Sequence, residues 1–302
     1  MSNAGIAIRN INRIRPGVGS MLAAMGCLVV SDAFVKSAAA SMSSSQLLLV
    51  QSSCATALLL ALALMRRTPF RLVDLTQRRV LLLAAAEVIG MVTLVVGIAH
   101  LQLAVVIAIY MAIPLLTTAG SVIILREKVS GLRWAAIGLG FAGVLCVVQP
   151  ATDQFAAWSV LILLSACFYA SRDIAMRSVS RSIPSQTITI AAVGAVMMTS
   201  MLWVIADDWK PLEPRGCCLI AGASISWLFG YFLIAAAMRK SELGVVGPFR
   251  YSSLIYSSIL GYVIWNETPN LLASLGMLLV VASGVHLVRT KSETVFRLHE
   301  GL

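Results

Sequence analysis

Residues Leu101 to Pro150 read LQLAVVIAIYMAIPLLTTAGSVIILREKVSGLRWAAIGLGFAGVLCVVQP. Two apolar runs flank a short charged hinge, Arg126-Glu127-Lys128-Val129-Ser130-Gly131. Each run is about long enough to cross the ~30 Å hydrocarbon core of a bilayer as a helix. The layout returns between Leu243 and Val288 as LGVVGPFRYSSLIYSSILGYVIWNETPNLLASLGMLLVVASGVHLV. Leu103, Val105, Val106 and Glu127 match Leu243, Val245, Val246 and Glu267 at one constant spacing. The chain therefore carries a duplicated helix–hinge–helix unit.

Working outward, the spans multiply. The 302 residues are 59% hydrophobic and only 12% charged, where a soluble domain is about a quarter charged. Ten apolar spans fit, at 17–38, 44–65, 80–100, 103–125, 132–149, 157–178, 185–206, 216–238, 243–265 and 270–289. The expected fold is an all-α polytopic membrane protein, ten transmembrane helices forming two inverted five-helix repeats around a central cavity. The repeats run over 17–149 and 157–289, with tails at 1–16 and 290–302. Five is odd, so the second repeat enters the membrane upside down, and such repeats place a substrate site near the midplane between them. Short connections leave no room for a soluble catalytic domain.

Charge placement sets the orientation. The net charge of +10 sits in short loops between apolar runs, which fits the positive-inside rule and argues against nucleic-acid binding. Arg9, Arg13 and Arg15 precede span one; Arg66, Arg67, Arg71, Arg78 and Arg79 lie between spans two and three. Alternate loops carry little or lean acidic, as at Asp207, Asp208 and Glu213. Both termini are thus expected in the cytoplasm, with the chain in a bacterial inner membrane. The N-terminal stretch up to Ala40 imitates a secretory signal, but Asp32 and Lys36 interrupt it, and it reads as a retained first helix. The six cysteines form no CxxC or His-spaced set, so no metal site or cofactor is expected.

Ionisable side chains inside spans cost roughly 2.5–3.5 kcal/mol each and ask for a reason. Glu87 in span three and Arg250 in span nine enter from the same side, so an Arg–Glu pair across the cavity could serve a zwitterionic solute or lock the helices together. Asp32 with Lys36, and Asp173 with Arg177, stand four apart, acid first; local pairing or a proton or charge relay in the cavity both fit. Tyr110, Tyr169, Trp227, Tyr231 and Tyr251 lie within spans four, six, eight and nine and suit an aromatic or cationic solute, or simple packing. Pro114, Glu127 and Glu267 read as structural hinges, with Ser130 and Thr268 as N-caps for the helices that follow. No nucleophile–base set, Walker loop or HExxH appears, so no catalytic residue is assigned and movement is gradient-driven.

The run from Leu103 through Pro114 to Glu127, then Ser130, Arg133, Gly138 and Gly143, resembles the drug/metabolite transporter superfamily, as two tandem EamA-type units. Asp32-x3-Lys36 and the stretch from Leu243 to Gly284 carry the likeness across nearly the whole chain. The resemblance implies ten helices around a cavity lined by spans one, three, four, six, eight and nine. It implies a small-molecule substrate: export of an amino-acid-like or metal-chelating amino-acid-derived metabolite, or import of a solute such as riboflavin or S-adenosylmethionine. A membrane enzyme or structural partner is the reading from another class. The lipid bilayer is the expected surrounding, and the protein is expected as a monomer or homodimer. Gln51 stands where many relatives carry an arginine.

Overall fold

The computed structural model describes residues 3–65, 72–125, 131–148, 153–178, 183, 185–207, 209–211, 213–240 and 246–300. The regular structure among these residues is all helical, with no strand. The helices are α1 (Asn3–Ala39), α2 (Ser44–Met65), α3 (Arg78–Ile98), α4 in two segments (Leu103–Tyr110 and Ile113–Leu125) and α5 (Gly131–Val148). The second set is α6 (Asp153–Ser178), α7 (Ser185–Ile205), α8 (Pro214–Lys240), α9 (Ser252–Trp265) and α10 (Leu271–Glu300). A one-turn helix at Leu72–Leu75 precedes α3, and a 3-10 turn at Gly247–Tyr251 leads into α9. Seven helices are long and apolar enough to span a membrane, with shorter apolar stretches at Trp134–Val148 and Leu271–His286.

The surface pattern is that of a membrane protein. Leu64, Ile123, Leu202, Ile205, Val263, Leu271 and Leu278 are exposed, while Ser45, Ser52, Ser165, Ser200, Ser257 and Ser283 are buried. Apolar residues outside and small polar ones between helices is the order expected when lipid is the solvent. Buried serines return their hydroxyls to nearby carbonyls, as Ser200 Oγ does to Val196 O at 2.7 Å.

The halves pair crosswise in a regular way. α1 packs on α8 and α6 packs on α3; α2 meets α8 and α7 meets α3; α1 meets α9 and α6 meets α4. α2 with α7, α4 with α9, and α5 with α10 are the other main cross-half pairings. Exchanging each helix for its counterpart in the other half returns these same pairings, as a two-fold relation between repeats would. Particular contacts obey it too. Gly230 on α8 lies against Leu28 on α1, and Gly90 on α3 lies against Tyr169 on α6. The glycines are 140 residues apart and their partners 141, the two spacings that relate the halves.

Contacts between links point the same way. His100, after α3, stacks on Trp158 at the start of α6 with ring centroids 3.9 Å apart. Ser45 Oγ, after α1, donates to Asp207 Oδ2, after α7, at 2.5 Å. Gln46 Nε2 donates to Lys210 O at 2.6 Å. The links that follow odd-numbered helices thus gather on one face, as ten successive crossings would require.

One helix end differs from expectation. Asn270, not Thr268, caps α10: its Oδ1 accepts from Ala273 N–H at 2.8 Å, because it directly precedes the first helical residue. Ser130 and Glu127 lie outside the described residues. α5 and α10 approach so closely that a Cβ on Gly143 would stand 2.8 Å from Gly276 O. Gly143→Leu is expected to overpack this seam by ~1–3 kcal/mol. It should lower the thermal unfolding midpoint in detergent by several degrees, whereas Gly138→Ala, where nothing lies within 4 Å, leaves it in place.

Candidate functional site

The break in α4 comes first. Pro114 has no N–H, so the carbonyl of Tyr110 loses its partner four residues on, and the helix is interrupted at Met111–Ala112. Met111 N–H still bonds to Ile107 O at 2.9 Å, and Leu116 N–H restarts the ladder on Ala112 O at 2.9 Å. Tyr110 therefore ends the first segment, and its hydroxyl lies 2.7 Å from Ser165 Oγ on α6. Ser165 gives its one proton to Gly90 O on α3 at 2.6 Å, so Tyr110 must donate to Ser165. Three helices are joined by this short chain.

Around it stands a cluster of charge. Arg172 on α6 reaches Glu87 Oε2 on α3 with Nη1 at 2.8 Å and Asp173 Oδ1 with Nη2 at 2.9 Å. Its guanidinium carbon lies 4.9 Å from the centroid of Tyr169. Tyr169 meets Tyr110 edge-on, centroids 5.7 Å apart, and donates its hydroxyl to Met91 Sδ at 3.2 Å. Arg250, just before α9, is within electrostatic reach of Asp173 and forms no ion pair among the described residues. Asp32 on α1 is within such reach of Tyr110 and Tyr169, and its carboxylate accepts no hydrogen bond among the described residues.

These groups are enclosed by protein yet not sealed. The Arg172 side chain keeps 31% of its surface open and that of Asp173 41%. Asp32, Tyr110 and Arg250 are likewise partly open. Partly open polar side chains held between helices are what the wall of an internal space would present. Counted at 1.5 Å per residue, Asp32 lies roughly 10 Å in from the end of α1, and Glu87 roughly 13 Å in from the start of α3. The space is near mid-membrane.

Internal duplication explains who faces whom. At the 140-residue spacing Glu87 corresponds to Trp227 and Tyr110 to Arg250; at 141, Asp32 corresponds to Asp173. Each half thus contributes one carboxylate on its first helix, and the other positions have diverged into acid against indole and phenol against guanidinium. The site is symmetric in position and asymmetric in chemistry.

Several expectations are corrected. Glu87 pairs with Arg172, not Arg250. Arg172 sits beside Asp173, whose partner at helical spacing is Arg177; the signal that points to it is the demand that every intramembrane acid find a cation. Asp173 is held by Arg172, and the side chain of Arg177 lies outside the described residues. Lys36 does not pair with Asp32 and does not snorkel. It is buried and binds Glu267 Oε1 and Leu101 O, the latter at 2.6 Å. Tyr251 turns onto Gly284 of α10, its hydroxyl buried without a partner among the described residues, and packs helices there. Trp227 and Tyr231 stack on each other with centroids 5.8 Å apart, and no bond joins them to the charged cluster among the described residues.

The fold is that of a multi-pass membrane protein, and its family and relatives are transporters of small molecules, not enzymes. The chain belongs to the EamA-like transporter family, whose pattern matches twice, over residues 15–149 and 156–289. It is similar to the Pseudopaline exporter CntI of Pseudomonas aeruginosa, at 25% identity over 93% of this chain and 99% of that one. It is 28% identical to a Riboflavin transporter of Vibrio cholerae over 59% of each chain. An S-adenosylmethionine uptake transporter of Rickettsia prowazekii is 24% identical over 70% of this chain and 71% of its own. A solved crystal structure shares the fold with a TM-score of 0.60 at 16% identity, covering 92% of this chain and 97% of that one.

Arg172 is expected to hold the site's shape. Arg172→Gln strands Glu87 and should cost on the order of 1–2 kcal/mol, below the ~3–5 of a fully enclosed pair because the guanidinium is partly open. Adding Glu87→Gln should recover part of the loss, read as a rise in the detergent unfolding midpoint of the double variant over Arg172→Gln alone.

Proposed function

We propose that this chain exports a small zwitterionic, amino-acid-derived metabolite from the bacterial cytoplasm, by gradient-driven alternating access across the inner membrane. The observation that carries this reading is the pair of unpartnered opposite charges in the central space. Glu87, Asp173 and Arg172 satisfy one another as a scaffold. Asp32 and Arg250 remain without ion-pair partners among the described residues, one from each half. An ammonium group fits Asp32 and a carboxylate fits Arg250, so a solute bearing both removes two exposed charges at once.

The whole cluster holds three carboxylates and two guanidiniums, leaving one negative charge uncompensated. A proton on Asp32 neutralises it when the site is empty. A zwitterionic solute brings no net charge, so its ammonium takes the place of that proton against Asp32 while its carboxylate meets Arg250. The surplus negative charge then stays on the Glu87–Arg172–Asp173 scaffold. Asp32 is then the charge relay of a proton-exchanging cycle, and Tyr110 offers a ring edge to the solute while its hydroxyl stays on Ser165 and that of Tyr169 on Met91. Similarity along nearly the full length of a relative named as an exporter supports the outward direction. The loop arginines support cytoplasmic termini. A metal-chelating amino-acid derivative is among the candidates.

Uptake of an S-adenosylmethionine-like solute is the second reading, supported by the stacked Trp227–Tyr231 pair and by the uptake relatives. Metabolite profiling of a deletion strain separates the two. Export predicts intracellular build-up of one amino-acid-derived compound, and uptake predicts depletion. Complementation with Asp32→Asn or Arg250→Gln, at equal protein level, is expected to restore less than a tenth of the wild-type efflux. Full efflux by both variants would remove these residues from the site.

A further inference from the structure

A second charged junction lies away from the central space, on the face where the odd-numbered links gather. Glu267, in the α9–α10 link, binds Lys36 of α1 through Oε1 and accepts Leu103 N–H at the start of α4 through Oε2 at 2.9 Å. Lys36 also donates to Leu101 O at 2.6 Å and sits 4.7 Å from the centroid of Trp265. Gln102 Nε2 adds a bond to Thr268 O at 3.3 Å. Local structure aims the acid. Asn266 turns left-handed at φ 54°, Glu267 N–H closes onto Gly261 O at 3.0 Å, and a Cβ on Gly261 would stand 3.2 Å from Glu267 Oε2.

An acid at the end of a helix is disfavoured by that helix's dipole. Here it serves a different helix, since Leu103 N–H is one of the orphan donors at the N-terminus of α4. Lys36 and Leu103 belong to the first half and Glu267 to the second, so the junction crosses the boundary between repeats. A static helix end needs far less; Asn270 alone caps α10.

We propose that the Lys36–Glu267 junction is a gate on the odd-link face, closed in this structure and opened once in each transport cycle. The proposal rests on the alternating-access reading and adds which contact must yield. Depth decides between the two ion-paired clusters. Separating Arg172 from Glu87 would strand both near mid-membrane, where charge costs most. Lys36 is within one turn of the end of α1, and Glu267 lies in a link, so both find interfacial water when they part. The deep cluster therefore holds shape, and the shallow one can open and reclose. The sequence repeats the three parts as Arg177, Glu127 and Leu243, none of whose side chains is among the described residues.

The test reads access without substrate. Asp32→Cys is placed in a chain with the six native cysteines replaced, and its reaction with a membrane-impermeant maleimide is timed in intact cells. Glu267→Gln keeps the shape and weakens the lock, and should speed labelling at least threefold. Gly261→Ala, which crowds the Glu267 carboxylate, should act in the same direction to a smaller extent and serves if the first variant is poorly made. Labelling at the parent rate in whichever variant is folded would overturn the gate. Since no solute is involved, that failure leaves the export reading standing. A deletion strain without metabolite build-up would in turn leave the gate standing.

Discussion

The structure depends on a constraint set by its solvent: a charge inside a bilayer must face protein, water or an opposite charge. This chain places Asp32, Glu87, Arg172 and Asp173 inside spanning helices, so lipid-facing positions are closed to them. They converge where the first helix of one half packs near the third and fourth of the other. Hydrophobic burial cannot be the organising force on the outside of such a molecule, where exposed leucines are at ease. Close packing through glycines and satisfied polar groups inside does that work, at the Gly90–Tyr169 and Gly230–Leu28 contacts and along the Ser165 chain.

Duplication turns that constraint into a mechanism. Two halves related by helix exchange give each position a counterpart, and the counterparts have diverged. Asp32 and Asp173 keep the same chemistry, but only Asp173 has gained a neighbour, Arg172, that holds it. Asp32, with no ion pair among the described residues, is the carboxylate that the proposed function leaves to change partners. At the face of the odd-numbered links the same logic gives Glu267 two duties, neutralising Lys36 and capping α4, so that one side chain ties the halves together.

Much of this was legible in the sequence because it rests on pattern. Span length, loop arginines and the repeated Glu127/Glu267 spacing are local features, and they carry the helical fold, the tandem repeat and the family. Pro114 announced the interruption of α4 for a local reason, a missing N–H. Partners were not legible. Asp32 and Lys36 stand at a favourable helical spacing, but Lys36 is drawn across the repeat boundary by Glu267, because a buried amine gains more from a cross-helix carboxylate and a carbonyl than from its own helix. Arg172 points to α3, and Tyr251 to α10. Each of these choices depends on which helices are neighbours, and no spacing within a single span encodes that.

Everything above requires the links after α1, α3, α5, α7 and α9 to share one side of the membrane. Single cysteines at His100, Thr268 and Gln77, in a chain without its native cysteines, report this directly through impermeant maleimide labelling of intact cells. The account predicts rapid labelling at His100→Cys and Thr268→Cys and none at Gln77→Cys until the membrane is permeabilised. Labelling of His100→Cys and Thr268→Cys from opposite sides would contradict it.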